Sequence, residues 1–393
     1  MTRWGTWLAE LAAVCVLGFA CWRAVEPAWT ESPHDARFLL QQAEHAERQG
    51  GDPAPLLRRA VAVKPDDAGI HIRLGLLAES RRDFTAAERH LLEAARRSRK
   101  YEPRWTLANY YFRRGAMDPF WHWSREAFRM SWGDRTALLD LCWRASGDAE
   151  TLLRRAIPEQ RELRAAAAWF LMSRGQWQAV EPLALELATE ATPVESTMYL
   201  AACDGLLESS RTAAAVALWN TLNRRGLFLH TALDPGGGRI VSNPDFTAEG
   251  PGRCFDWRIP SPHGISVSPL RPPGEGWRIT LNGRQPERCE LLYQVLPVEP
   301  GKRYRFSCSY QFEPLATAAG RPVGLRWRVD SHPAAARPLA ESTDLANSAG
   351  NPSWEFVATS GQARLALVYE RPTGVARLDG WILLRSMRAG LVQ

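Results

Sequence analysis

The sequence predicts a multidomain α + β protein: an N-terminal membrane helix, an α-solenoid and a C-terminal antiparallel β-sandwich. Three observations carry that expectation. Residues 1–30 hold an apolar run, residues 34–231 are rich in Ala, Leu, Arg and Glu with a recurring small-residue step, and residues 240–390 turn to short alternating runs punctuated by Gly, Pro, Asn and Ser. At 393 residues the chain is too long for one ordinary core, so about two or three domains are expected.

The first segment is apolar from Trp4 to Trp22 except for Glu10, with Arg3 before it and Arg23, Glu26 and Glu31 after it. Trp4, Trp7, Trp22 and Trp29 suit the two interfaces of a single anchor helix, and the basic start favours a cytoplasmic N-terminus. The reading is a single-pass inner-membrane protein with its bulk in the periplasm. A cleaved signal peptide competes with it, with Gly18-Phe19-Ala20 before the cut. Lipidation at Cys21 is disfavoured, because Gly18 stands where a leucine is expected.

A net charge of +6 raises the question of nucleic acid, but the basic residues run from Arg3 to Arg388 interleaved with acids. Without a continuous basic stripe, no nucleic-acid partner is expected. Seven cysteines cannot all pair within one chain, and none has a metal-like spacing. Cys142 and Cys203 read as buried free thiols. A disulfide, if one forms, is expected among Cys254, Cys289 and Cys308, which a secreted location would permit.

In the helical region Ala60, Ala94 and Ala127 recur at steps of 34 and 33, the sign of stacked helical hairpins. Leu74, Gly75, Ala78, Phe84, Ala87, Leu91 and Ala94 follow Pro65, and Leu107, Ala108, Tyr111, Gly115, Phe120 and Ala127 repeat the pattern. These residues resemble the tetratricopeptide repeat, whose small residues let paired helices approach closely. Looser copies run through Ala168 to Pro193 and Ala202 to Leu222, and Thr136 to Ala156 fills the gap with a hairpin turning at Gly147. About five or six hairpins result. Such a stack implies a concave face that holds a protein partner, with a spacer between membrane and sandwich as the lesser alternative. Within the aromatic cluster of residues 110–123, Tyr110, Trp121 and Trp123 are the surface candidates for that partner, while Tyr111 and Phe120 take core positions.

Composition changes at Asp234-Pro235-Gly236-Gly237-Gly238, so residues 232–239 read as a linker. Beyond it, Tyr304, Phe306, Cys308, Tyr310 and Phe312 alternate with polar residues, as do Leu325, Trp327 and Val329. Further strands are expected at Trp277–Leu281, Glu290–Val295, Trp354–Ala358, Ala363–Tyr369 and Ala376–Leu384. Asn243-Pro244-Asp245-Phe246, Phe255-Asp256-Trp257, Tyr293-Gln294-Val295, Glu299 to Tyr304, Trp354-Glu355-Phe356 and Leu378-Asp379-Gly380-Trp381 together resemble a galactose-binding-like jelly roll of the carbohydrate-binding-module type. Pro244 and Thr247 depart from that family's opening, where glycine and glutamate are usual, which puts its structural calcium in doubt. Asp379 is the oxygen ligand it would retain, and no other cofactor is expected.

Sugar recognition needs an aromatic ring with polar groups at its edge. The polar strand faces offer Arg305, Gln311, Arg326, Arg328 and Asp330 as glycan-binding candidates, but no outward tryptophan, since Trp327 and Trp354 read as core. Guanidinium forks suit an acidic polysaccharide, and a merely solvated charged face would look the same. The eight histidines are scattered, and no nucleophile-elbow, phosphate-loop, dinucleotide or zinc-protease motif occurs. The expectation is therefore a non-enzymatic, membrane-tethered scaffold of the cell envelope, with a protein partner on the solenoid and glycan or protein on the sandwich. Chains with this pairing of domains resemble accessories of exopolysaccharide assembly or export. The alternative is a glycan-modifying hydrolase or lyase that uses Asp330 or Asp379.

Overall fold

The computed structural model of the protein describes residues 35–270, 276–314, 322–332, 337–346 and 351–392. The anchor expected in residues 1–30 lies outside them. Among the described residues no helix is long and apolar enough to cross a membrane. Among the described residues twelve α-helices precede nine strands, and the chain divides into two compact units, one ending at Pro158 and the other beginning at Glu159.

The first unit is a run of helical hairpins: α1 (Ala36–Arg48) with α2 (Ala54–Val63), α3 (Ala68–Ser80) with α4 (Phe84–Arg97), and α5 (Tyr101–Arg114) with α6 (Met117–Met130). A fourth pairs α7 (Thr136–Ser146) with the short α8 (Ala149–Thr151), which continues into a π-turn over Leu152–Ala156. Asp35, Asp67 and Asp83 cap α1, α3 and α4 by accepting backbone N–H groups of the first turn. Ala60, Ala94 and Ala127 are all fully buried, so the small-residue step marks the close contacts between helices. Gly75 shows why: a β-carbon there would stand 2.6 Å from the buried Leu91 side chain. Salt bridges also repeat. Arg81 to Asp52 and Arg113 to Glu79, 29 and 34 residues apart, tie successive hairpins, and Arg97 to Asp66, 31 apart, ties α4 to the loop before α3.

The second unit opens with two more hairpins, α9 (Arg161–Ser173) with α10 (Trp177–Ala188) and α11 (Ser196–Glu208) with α12 (Thr212–Arg224). Arg161 ties them together by donating to the Leu187 carbonyl at 2.7 Å, to Glu195 at 2.8 Å and to the Tyr199 hydroxyl at 2.8 Å. Residues 232–239, expected to be a linker, form a tight turn fastened to the sheets. Asp234 and Arg239 bridge across Pro235–Gly237, and the Tyr304 hydroxyl donates to the Pro235 carbonyl at 3.2 Å. Gly238 has φ 83° and lies so close to the C-terminal strand that a β-carbon would stand 2.7 Å from the Leu391 nitrogen.

The strands are β1 (Ile265–Pro269), β2 (Trp277–Asn282), β3 (Arg288–Pro297), β4 (Arg303–Pro314), β5 (Leu325–Ser331), β6 (Ala340–Glu341), β7 (Ser353–Val357), β8 (Gln362–Glu370) and β9 (Asp379–Leu391). They build a five-stranded sheet in the order β1-β2-β9-β4-β7 and a four-stranded sheet in the order β3-β8-β5-β6, antiparallel throughout. One apolar core lies between them. Tyr304, Phe306, Cys308 and Tyr310 of β4 face Leu325, Trp327 and Val329 of β5 and Leu365, Leu367 and Tyr369 of β8 within it. Phe246 stacks on Trp257 at 5.2 Å, and Trp257 meets Trp327 at 5.9 Å. Trp327 and Trp354 are buried, as their alternation predicts.

Candidate functional site

The two outer faces of the sheet domain differ in what their side chains are free to do. On the four-stranded sheet, β5 presents Arg326, Arg328 and Asp330 opposite Val368, Ala366 and Arg364 of β8. The expected guanidinium forks are all occupied. Arg326 binds Glu341 at 3.1 Å and Glu370 at 2.7 Å, Arg328 binds Asp330 at 2.8 Å and Glu290 at 3.4 Å, and Arg364 pairs with Glu290 while stacking 3.9 Å over the Tyr293 ring. The Arg364 hydrogen bond holds the Glu290 carboxyl below the usual carboxylate range. An acidic polysaccharide would have to displace these carboxylates, because the guanidinium forks of this face are spent on cross-strand ion pairs.

Arg305 and Gln311 lie on the opposite outer face, on β4. The five glycan candidates therefore do not form one site. Arg305 gives its fork to Glu355, at 2.8 Å and 2.6 Å, and that hydrogen bond lowers the Glu355 carboxyl. Gln311 instead stands beside a ring that the sequence did not reveal. In β9 one extra residue, Arg385, falls between the Tyr310–Leu384 and Ser309–Ser386 pairs, which flips the strand's parity. Met387 and Leu384 both face the core as a result, and Trp381 faces outward, partly exposed.

Around Trp381 the register sets Thr280 of β2 on one side and Glu313 of β4 on the other, with Arg278 and Gln311 one step along, flanking Leu383. The Arg278 guanidinium lies 4.7 Å over the Trp381 ring. Arg278, Gln311 and Glu313 are exposed, and among the described residues none of the three has a hydrogen-bond or ion-pair partner. The Trp381 ring thus carries the Arg278 guanidinium over one face, with a free amide and a free carboxylate beside it on rigid strands. A sugar ring needs an apolar face to stack on and donors and acceptors for its hydroxyls, and the amide and carboxylate here are of the second kind. The signal was hidden because Trp381 sits in the run Trp381-Ile382-Leu383-Leu384, apolar on both faces of the strand.

A cleft of about 640 Å³ opens elsewhere in the second unit, lined by Ile259, Val267, Trp277, Tyr293, Asp256 and Arg258. Two of its charged groups, Asp256 and Arg258, are spent on structure. Asp256 accepts from Gly252 N–H at 2.8 Å and pairs with the buried His230 at 3.0 Å, and Arg258 reaches Asp204 at 3.2 Å.

The oxygen ligand for calcium that the resemblance implies is Asp379. Asp379 opens β9 opposite Asn282, and among the described residues no three His, Cys, Asp or Glu side chains converge to hold a metal ion. Asn243 spends its side chain on its own loop, accepting from Thr247 and Ala248 N–H groups at 3.0 Å and 3.3 Å and donating to the Ala248 carbonyl at 2.7 Å.

In the first unit, two of the three residues expected to meet a protein partner are corrected. Tyr110 and Trp121 are 3% and 4% exposed. Tyr110 turns its hydroxyl to the Phe84 carbonyl at 3.0 Å, and Trp121 packs edge-on against Phe120 at 4.6 Å. The hydrophobic gain of seating such large rings between hairpins outweighs what they would contribute at a surface. Trp123 remains partly exposed, edge to face with His122 at 5.1 Å. The exposed aromatic that sequence reasoning passed over is Trp132, 87% exposed in the loop after α6.

No protein-family model and no curated protein matches the sequence. Among solved structures, the secreted serine protease VesC from Vibrio cholerae is similar at 14% identity, over 33% of this chain and 24% of that protein's length. The TM-score is 0.19, and the likeness carries no argument about fold or activity.

Proposed function

We propose that this chain is a non-enzymatic interaction protein of the cell envelope whose sheet domain binds a polysaccharide across the outer face of the five-stranded sheet. In this reading the helical part is a tetratricopeptide-like solenoid holding a protein partner, the sheet part a galactose-binding-like jelly roll, and the N-terminal segment a tether to the inner membrane. The role that fits is an accessory of exopolysaccharide assembly or export. The observation that carries it is the outward Trp381 ring, with Arg278 over one face and the free polar ends of Gln311 and Glu313 beside it. A ring on a β-strand is pre-ordered, so stacking a sugar on it costs little side-chain entropy.

Affinity electrophoresis of the purified protein through gels carrying neutral or uronate-containing bacterial polysaccharides tests the reading. Retardation by at least one polysaccharide is expected, weakened at least about tenfold in Trp381→Ala, roughly 1.4 kcal/mol, and unchanged in Arg305→Ala. Equal retardation of wild type and Trp381→Ala would remove this face from the proposal, and no retardation by any polysaccharide would leave only the protein-binding role. Release of new reducing ends during the same incubation would favour a hydrolase instead.

A further inference from the structure

Two buried cysteines lie where the segment before β1 contacts α11 of the second unit. Cys203 is on α11 and Cys254 is in that segment, and both are fully buried. Cys254 is clamped over a single turn of the helix. Its backbone N–H donates to Asp204 Oδ1 at 2.9 Å, and its Sγ reaches the Leu200 carbonyl at 3.4 Å. Cys203 lies between those two contacts in the chain and turns its own Sγ to the Ala215 carbonyl at 3.7 Å.

The clamp is held from both sides, because Arg253 and Arg258 also bind Asp204, at 2.8 Å and 3.2 Å. Cys254 itself is kept at φ 55°, a left-handed conformation that a side chain with a β-carbon adopts at a cost. The position of its sulfur is thus fixed by the surrounding bonds rather than left to rotamer choice. Cys142 sits in the first unit and Cys308 in the core between the sheets, while Cys289 is partly exposed on β3. The pairing expected among Cys254, Cys289 and Cys308 is therefore not the one the fold prepares.

We propose that Cys203 and Cys254 are joined in a disulfide when the chain folds in the presence of a small-molecule disulfide, stapling α11 to the sheet domain. A thiolate of the pair attacks one sulfur of R–S–S–R and expels R–S⁻. The second thiolate then displaces the other R–S⁻ from the mixed disulfide. The two cysteines lose two protons and two electrons, and the two R–S⁻ groups leave as R–SH. Burial and the neighbouring Cys203 thiol push the Cys254 thiol well above its ordinary range, so little thiolate exists once the segment is covered. The exchange accordingly belongs to folding, before α11 closes over Cys254. The periplasmic reading bears only on where such an oxidant is met, since the chemistry needs no particular compartment.

The test refolds the full chain from denaturant with oxidised glutathione, alkylates it in denaturant, and digests it without reduction for peptide mass analysis. Most molecules should link the Cys203 and Cys254 peptides, two hydrogens lighter than the pair of free thiols. The oxidised protein should also unfold at a higher denaturant midpoint than the same preparation after reduction. Cys203→Ser should abolish the link without another pair replacing it. Recovery of both peptides alkylated, or of Cys254 joined to Cys289 or Cys308, overturns the proposal. Failure to bind polysaccharide would leave it untouched.

Discussion

In residues 35–158 the long-range ion pairs join positions about one repeat apart, Arg113 to Glu79 at a separation of 34 and Arg155 to Asp118 at 37. In residues 159–392 hairpins of the same kind are fastened over far greater lengths of chain. Arg253 reaches Asp204 across 49 residues, and the Gln362 side chain donates to the Leu207 carbonyl and to Thr212 across 155 and 150. The difference shows what a repeat sequence leaves open. A hairpin that touches only its neighbours draws its stability from local terms that add along the stack, whereas one locked to a sheet by distant contacts unfolds with that sheet.

The largest effect should come from the shared core of the sheets. Trp327→Ala removes a fully buried ring and should cost about 3–5 kcal/mol. Hydrogen exchange read peptide by peptide should lose protection in β3, β5 and β8 and also in α11 and α12, while α3 and α4 keep theirs. Loss confined to the strands would break the comparison, because the helices of the second unit would then stand on their own.

Gly75→Ala is the matching change in the first unit. Overpacking against Leu91 costs about 1–3 kcal/mol, against about 1 kcal/mol that alanine gains in a helix. The net loss should appear as faster exchange in α3 and α4 and fade in α5 and α6. An equal loss along the whole unit would show that the stack is more cooperative than its short-range ion pairs imply.

The smallest effect is acid sensitivity. Glu290 has its folded value lowered by the Arg364 hydrogen bond, so the stability it contributes is present above its ordinary value of 4.5 and is lost as pH falls through the lowered one. In the first unit Asp52, lowered by its hydrogen bond to Arg81, is half exposed and screened by solvent. Acid titration of circular dichroism should therefore show a steeper limb for the sheet domain, which Glu290→Gln flattens. An unchanged slope in that variant would assign the limb to other carboxylates.

Much of the architecture was legible because local period decides it. The inward set of β4 and β5, the burial of Trp327 and Trp354, and the buried Ala60, Ala94 and Ala127 all follow from repeats of two residues or of one hairpin. Of the candidate site, only Gln311 was readable by alternation. Trp381 was not, since its strand is apolar on both faces and changes parity at Arg385. Tyr110 and Trp121 misled for a related reason: an aromatic at helical spacing serves a surface or a core equally well until the neighbouring hairpin is placed.

The sequence by itself determined the helical region and the strands β2–β5 and β7–β9, though not β1 or β6, because these depend on side chains a few positions apart. Only the tertiary structure decided that the compact units divide at Pro158 rather than at the triple glycine, that Arg278 covers Trp381, and that Cys254 rests on α11. Those outcomes turn on how elements pack across scores of residues, where no period in the chain records which partner will be met.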